Sequence, residues 1–158
     1  YLHYWVKPSN LGLEYCVFKW PDDIWDKTFD DIIKNNILKL KESAFRLRIK
    51  GIQVNSDGCV IAKGYSENQS VFKIRDFFKK NIEFLPKKQS GWAHVPLGRI
   101  LEPIGEKRYS MLKQYISKMR NEKICSETID EVKFIQEKQW YMEEKVILVK
   151  QSLKRSSF

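Results

Sequence analysis

The 158-residue sequence lacks the cysteine patterns and long apolar runs that define several protein classes. Its three cysteines, Cys16, Cys59 and Cys125, include no closely spaced pair. A disulfide framework or a zinc site is therefore not expected, and a reducing cytoplasm is the default location. No apolar run approaches the roughly 18 residues of a membrane helix, and no signal peptide opens the chain, so we expect no membrane partner.

Several catalytic signatures are also missing. The sequence contains no glycine-rich phosphate loop, no His-Glu-x-x-His, no paired Asp-x-Asp and no Gly-x-Ser-x-Gly. These motifs carry the chemistry of common nucleotide hydrolases, zincins and α/β-hydrolases. Their absence excludes the usual forms of those three enzyme classes.

The composition is that of a globular domain with a basic surface. Hydrophobic residues make up 42% of the chain and aromatic residues 13%, and the length suits a single domain with its own core. A net charge of +9 favours an anionic partner such as nucleic acid or a nucleotide, although an AT-rich genome also produces lysine-rich chains. The chain starts at Tyr1 rather than Met, so we interpret it as a fragment, a trimmed chain or part of a larger polypeptide.

Hydrophobic periodicity and turn residues predict alternating strands and helices. In the first half we expect strands over 1–6 and 11–20, a helix from 23 to about 42, strands over 45–50 and 59–65 around a turn at 55–58, and a helix over 70–80. In the second half we expect a strand over 92–100, a helix over 106–122, and strands over 127–136 and 144–150. Tyr109 should face inward from the last helix, and the tail over 152–158 should be frayed.

This order of elements repeats. A strand, a helix and a hairpin are followed by another strand, helix and hairpin, and the two leading strands are offset from Glu14 to His94. We therefore predict a single α+β domain over 1–151. It would have two lobes, about 11–81 and 92–151, related by a pseudo-twofold axis and meeting at a central cleft.

The run from Gly91 to Leu101 is the main candidate for a functional site. In a regular strand, His94, Pro96, Gly98 and Ile100 share one face, and Val95, Leu97 and Arg99 share the other. The small residues leave open space above His94 that suits a ligand, although a histidine with a purely structural hydrogen bond fits as well. Pro96 donates no backbone hydrogen bond, so we expect a gap, an edge strand, or a bulge that would turn Arg99 to the face of His94.

The element order and the run Ala93-His94-Val95-Pro96-Leu97-Gly98-Arg99 before a helix resemble the two-histidine (2H) phosphoesterases. That superfamily includes 2'-5' RNA ligase-like and cyclic phosphodiesterase proteins. Each lobe carries one His-x-Ser/Thr-hydrophobic motif. The resemblance implies that one histidine acts as base and the other as acid, that the hydroxyls hold the phosphate, and that no metal or other cofactor is needed.

This chain departs from the signature at three of its four positions. The second motif keeps His94 but has Pro96 in place of the hydroxyl residue. The first motif falls on Leu13-Glu14-Tyr15-Cys16-Val17-Phe18, with Glu14 in the histidine position and Cys16 in the hydroxyl position. Glu14 is either a substitute base or a polar residue facing a wet cleft. Cys16 is either a nucleophile or phosphate contact, or a buried filler.

Further residues are candidates for supporting roles. Arg99 is a candidate phosphate ligand, and Tyr15 and Trp92 are candidate stacking surfaces, although aromatic residues at strand ends also pack in cores. His3 is expected to pair near Phe18, about 13 Å down the ladder from Glu14, and is therefore interpreted as a structural or surface histidine.

Three functions remain open from the sequence. The first is a 2H-like module that recognises a phosphodiester ligand, either RNA or a cyclic or 2'-5' linked nucleotide, with impaired catalysis. The second is an active metal-independent phosphodiesterase that uses His94 with Glu14. The third is a structural or protein-interaction domain of a larger chain.

Overall fold

The computed structural model describes residues 2–154 and confirms the predicted α+β class. Its helices are α1 (Thr28–Leu38), α2 (Ser70–Asn81) and α3 (Gly105–Met119). Its strands are β1 (His3–Trp5), β2 (Phe45–Val54), β3 (Cys59–Ser66), β4 (Ala93–Ile100), β5 (Lys123–Ile129), β6 (Glu131–Gln139) and β7 (Glu144–Ser152). Five strands form an antiparallel sheet in the order β1-β4-β3-β2-β5, and β6 and β7 form a separate antiparallel hairpin.

The first half of β2 alternates between buried apolar and exposed basic residues, and this alternation distinguishes the two faces of the five-stranded sheet. Phe45, Leu47 and Ile49 are buried, whereas Arg46 and Arg48 between them are exposed. We call the side of the sheet that carries Phe45 the inner face and the side that carries Arg46 the outer face. The inner face packs against apolar side chains of α1 and α2, and full burial of one such side chain contributes about 1.5–3 kcal/mol.

The β6–β7 hairpin closes the same core from another side. Val132 and Phe134 of β6 are buried in the core, and both strands contact α1. Leu153 is also buried, and the carbonyl of Lys154 accepts a hydrogen bond from the amide of Ala44 at 2.7 Å. The predicted frayed tail is therefore wrong for residues 152–154, and its remainder, 155–158, lies outside the described residues.

The stretch 11–20, predicted as a strand, forms neither strand nor helix. The helix predicted from residue 23 begins only at Thr28, whose amide and hydroxyl both donate hydrogen bonds to the carboxylate of Asp26 at 2.8 Å. Trp25 precedes the helix and packs edge-on against Phe29. Of the two predicted leading strands, the structure thus contains only the second, β4, within residues 2–154.

Two pairing predictions are also wrong. His3 pairs with Ile100 of β4 rather than with the region of Phe18. The strand predicted over 127–136 is two strands, because the chain leaves the five-stranded sheet after Ile129 and enters the hairpin at Glu131. β5 pairs with β2, whereas β6 pairs with β7.

Helix α3 is only partly covered by the rest of the molecule. Tyr109, predicted to face inward, is 58% exposed, whereas Leu112, Ile116 and Met119 are half-buried. The carbonyl of Arg120, next after the helix, accepts a hydrogen bond from Lys63 Nζ at 2.9 Å. This contact ties the C-terminal end of α3 to β3. Among residues 2–154, no helix has both the length and the apolar character needed to cross a membrane.

Candidate functional site

A bulge in β4 sets which side chains surround His94. The register against β3 shifts by one residue, leaving Leu97 as the extra residue. The pairs on either side of the shift are His94 with Lys63, Pro96 with Ile61, Gly98 with Val60, and Arg99 with Cys59. Since Cys59, Ile61 and Lys63 alternate along β3, their partners Arg99, Pro96 and His94 share the outer face.

Because of the bulge, Gly98 and Arg99 lie on the opposite faces from those expected for a regular strand. Gly98 pairs with Val60, beside the core residue Ala62, and so leaves the face of His94. Arg99 takes its place, as the bulge alternative predicted. Gly98 also permits the close approach of β1, because a Cβ at this position would lie 2.3 Å from the carbonyl oxygen of Tyr4.

The imidazole of His94 is half-buried and oriented by the loop before β4. Its Nδ1 lies 3.4 Å from the hydroxyl oxygen of Ser90, which also accepts a hydrogen bond from the amide of Trp92 at 3.2 Å. With Nδ1 directed at Ser90, Nε2 is the ring nitrogen available for a ligand. Lys63 lies opposite His94 on β3 and adds a cation to the same face.

A buried arginine joins the two stretches that carry the motif positions. Arg75 of α2 is only 2% exposed. Its Nε donates to the carbonyl of Tyr15 at 2.7 Å, and its Nη2 donates to the carbonyls of Trp92 at 3.0 Å and Glu14 at 3.4 Å. The backbone at Glu14 therefore lies beside the entry to β4, although neither stretch pairs with the other as a strand.

Sequence reasoning missed Arg75, although a signal was present. Position 75 falls on the face of α2 that also carries Val71, Ile74 and Phe78, all of them buried. A guanidinium on a buried helical face requires hydrogen-bond acceptors there. The pattern alone could therefore have indicated a structural role for this arginine.

A second polar side chain holds the segment 11–20 in place. The side-chain amide of Gln89 accepts a hydrogen bond from the amide of Val17 at 3.0 Å and donates to the carbonyl of Val17 at 2.7 Å. This reciprocal pair resembles one rung of a β-ladder. The backbone amide and carbonyl of Val17 are thus hydrogen-bonded although no strand pairs with the segment 11–20.

The first-motif side chains differ in their surroundings. Glu14 is half-buried. The ring of Tyr15 packs against the core and its hydroxyl is buried without a hydrogen-bond partner, so burial raises its pKa. Tyr15 therefore does not provide the predicted stacking surface. Burial also raises the pKa of the Cys16 thiol to about 11, against the opposing effect of Arg75, so Cys16 is protonated at neutral pH.

The second-motif residues divide between two ends of β4. Trp92, 54% exposed, remains available for stacking near His94. Arg99 lies about 13 Å along the strand from His94, too far for both to contact one phosphate. Its Nη2 is 2.9 Å from Asp57 Oδ2, and its guanidinium lies 5.0 Å from the ring centroid of Trp140. Arg99 thus holds the tip of the β6–β7 hairpin.

That tip forms an aromatic and charged cluster that the sequence did not indicate. Tyr141 stacks on Tyr4 with ring centroids 5.0 Å apart, and the Tyr4 hydroxyl donates a hydrogen bond to Glu143. This hydrogen bond raises the pKa of Tyr4 to about 12. Lys7 Nζ lies 2.6 Å from the other oxygen of Glu143. The cluster docks the hairpin tip beside the Arg99 end of β4.

Two surface depressions lie elsewhere on the molecule. One, of about 580 Å³, is lined by aromatic side chains, acidic residues and two lysines: Phe18, Trp20, Asp22, Asp23, Ile24, Trp25, Phe29, Phe84, Pro86, Lys87 and Lys88. Neither this depression nor a smaller one beside Lys79 is lined by His94, Glu14 or Arg75. The candidate site therefore lies outside both depressions, on a face that is covered at Ile61, the buried partner of Pro96.

Comparison with protein-family models gives no match, and comparison with curated proteins gives no match either.

Proposed function

We propose that the protein binds a phosphodiester ligand, RNA or a cyclic or 2'-5' linked nucleotide, on the outer face of β4 at His94. The observation that carries the proposal is the pairing of β4 with β3, which places Lys63 directly opposite His94 on the outer face of the sheet. An imidazole and a neighbouring lysine are suited to phosphate oxygens, and the exposed ring of Trp92 can stack on a base.

The resemblance to two-histidine phosphoesterases supports the choice of ligand, and the departures from the signature argue for impaired catalysis. Pro96 supplies no hydroxyl, and the Cys16 thiol has a raised pKa. Glu14 stands where the resemblance implies the second imidazole. A 2H-like domain altered in this way would keep its ligand and lose most of its turnover.

An active phosphodiesterase is the second candidate, and the Arg75 contacts favour it. They hold the backbone of Glu14 beside the entry to the His94 strand. In this reaction the Glu14 carboxylate would remove a proton from the attacking hydroxyl or water, and protonated His94 would supply one to the leaving oxygen as the phosphorus–oxygen bond breaks. One proton enters the enzyme and one leaves it.

The test is a panel of 2',3'-cyclic nucleotides, 2'-5' oligoadenylate and cyclic dinucleotides in the presence of EDTA. Each ligand is assayed for product and for a thermal shift of the protein. The site variant is His94→Ala, and the matched control is His3→Ala, which removes the other histidine of the chain.

A thermal shift that His94→Ala removes and His3→Ala keeps, without product, supports the binding proposal. Product formation that both His94→Ala and Glu14→Gln abolish supports the phosphodiesterase instead. If no ligand shifts the wild-type protein and none is converted to product, both proposals are wrong, and a structural or protein-interaction domain is the remaining hypothesis.

A further inference from the structure

The outer face carries an exposed patch near His94 that none of the contacts above uses. We call it the β2 patch and define it by Arg46 and Arg48 of β2, Tyr65 of β3, and Ser126 and Thr128 of β5. The cross-strand pairs within it are Arg48 with Tyr65, Arg48 with Ser126, and Arg46 with Thr128.

The chemistry of the patch is that of a phosphate-binding surface. The cross-strand neighbours of both arginines carry hydroxyl groups rather than carboxylates. The carboxylate of Glu67 is 3.9 Å from Arg48 Nη2, but Arg48 is 60% exposed, so this ion pair contributes little. Two like charges on one strand face therefore lack strong compensation within the protein, which favours an anionic partner.

An aromatic ring accompanies these cations. Tyr65 is 49% exposed and lies directly across from Arg48. A ring beside a guanidinium offers stacking to a base and charge to the adjoining phosphate, the combination found where proteins bind single strands. Double-stranded nucleic acid keeps its bases inside the helix and would leave this ring unused. The patch therefore favours a single strand.

The patch continues directly from the proposed site. Lys63 pairs with His94, and Tyr65 lies two residues further along β3, about 6.6 Å away. Arg48 is one strand spacing beyond, about 4.8 Å, and Arg46 is another 6.6 Å along β2. The C-terminal end of α3 borders this path at Lys63. Including the strand spacing from His94 to Lys63, the whole path is about 23 Å long, which exceeds a mononucleotide and accommodates several linked nucleotides.

We infer that the ligand of the His94 site is a single-stranded polynucleotide whose chain runs from His94 across Tyr65 to Arg48 and Arg46. This inference rests on the proposed function and adds the class of ligand. Phosphate contacts with two arginines should make the binding of a long strand depend strongly on salt.

The experiment measures the fluorescence anisotropy of labelled single strands of 2 and 12 nucleotides, uridylate and thymidylate, over a range of salt concentrations in EDTA. The patch variant is Arg46→Ala/Arg48→Ala, the site variant is His94→Ala, and the charge-matched control is Lys34→Ala/Lys73→Ala on the helices. The two sugar types separate RNA from DNA as the natural source of the same strand chemistry.

We expect the patch variant to weaken binding of the 12-nucleotide strand at least tenfold. It should lower the slope of log Kd against log salt by about 1.4, since each lost phosphate contact on a single strand accounts for about 0.7. The dinucleotide should bind the patch variant as it binds the wild type. The control should keep both affinities, and His94→Ala should weaken both strands.

Two results would overturn the inference. If the patch variant binds the long strand like the wild type while His94→Ala weakens it, the proposed function stands and the polynucleotide path is wrong. If the patch variant loses the long strand but His94→Ala binds both strands unchanged, the patch is a separate surface and the proposed function fails with the path.

Discussion

Arg75 donates a hydrogen bond to the carbonyl of Trp92 at 3.0 Å, and this contact connects helix α2 to the start of the strand that carries His94. The same guanidinium holds the carbonyl of Tyr15 at 2.7 Å. Two segments nearly 80 residues apart in the chain are thereby fixed by one side chain. The geometry of the candidate site thus depends on a residue behind it rather than in it.

Replacing Arg75 should destabilise the protein and loosen the site. In Arg75→Met, the buried carbonyls of Tyr15 and Trp92 lose their donors, while removal of a buried charge offsets part of that loss. We expect the free energy of unfolding in urea to fall by about 2–4 kcal/mol. Lys73→Met, which removes an exposed cation from the same helix, is the control and should change the free energy of unfolding by less than about 0.5 kcal/mol. Equal stability of both variants would contradict a structural role for Arg75.

An element can be predicted from the sequence when the residues that stabilise it lie within the same segment of the chain. The β2–β3 hairpin, α2 and β4 follow from periodicity and turn residues within each segment. The segment 11–20 has the same alternation of apolar residues. Its carbonyls at Tyr15 and Val17, however, accept hydrogen bonds from Arg75 and Gln89, which lie more than 55 residues further along the chain. No local pattern encodes that choice.

The candidate site, like the fold, was only partly predictable from the sequence. The missing amide of Pro96 left a gap, an edge strand or a bulge open, and the structure has a bulge at Leu97 that determines the face of Arg99. The pairing of Arg99 with Asp57 and its packing under Trp140 depend instead on where the β6–β7 hairpin docks. Likewise, the burial that raises the pKa of Cys16 comes from the assembled core and not from its neighbours in sequence.

The close approach of β1 to the bulge predicts a sharp cost for a methyl group at Gly98. An added Cβ would lie 2.3 Å from the carbonyl oxygen of Tyr4 and 2.5 Å from Cε3 of Trp5. Gly98→Ala should therefore push β1 away and lower the free energy of unfolding by about 1–3 kcal/mol. Gly91→Ala, where nothing lies within 4 Å of the added atom, is the matched control. Equal urea midpoints for the two variants would show that β1 does not constrain this position.

The raised pKa of the Cys16 thiol predicts that it reacts slowly with alkylating reagents. Because burial raises the pKa to about 11 from a usual 9.0, the thiolate fraction at pH 8 falls roughly 100-fold. In single-cysteine variants, iodoacetamide should alkylate Cys16 far more slowly than the exposed Cys125. The rate at Cys16 should keep rising with pH up to about 11. Rapid alkylation of Cys16 at pH 7.5 would instead restore it as a candidate nucleophile.

The docking of the hairpin tip should depend on acid pH through Glu143. Hydrogen bonds from Lys7 and Tyr4 hold the pKa of this carboxyl below its usual 4.5. A carboxyl whose pKa is lowered on folding adds stability above its unfolded pKa, and that stability is lost as the pH falls through the folded value. We therefore expect the melting temperature of the wild type to exceed that of Glu143→Gln at pH 7, with the difference shrinking below about pH 4.5. Glu83→Gln, which removes an exposed carboxyl just after α2, should show no such pH-dependent difference. A constant offset for Glu143→Gln from pH 7 to pH 3 would exclude the linkage.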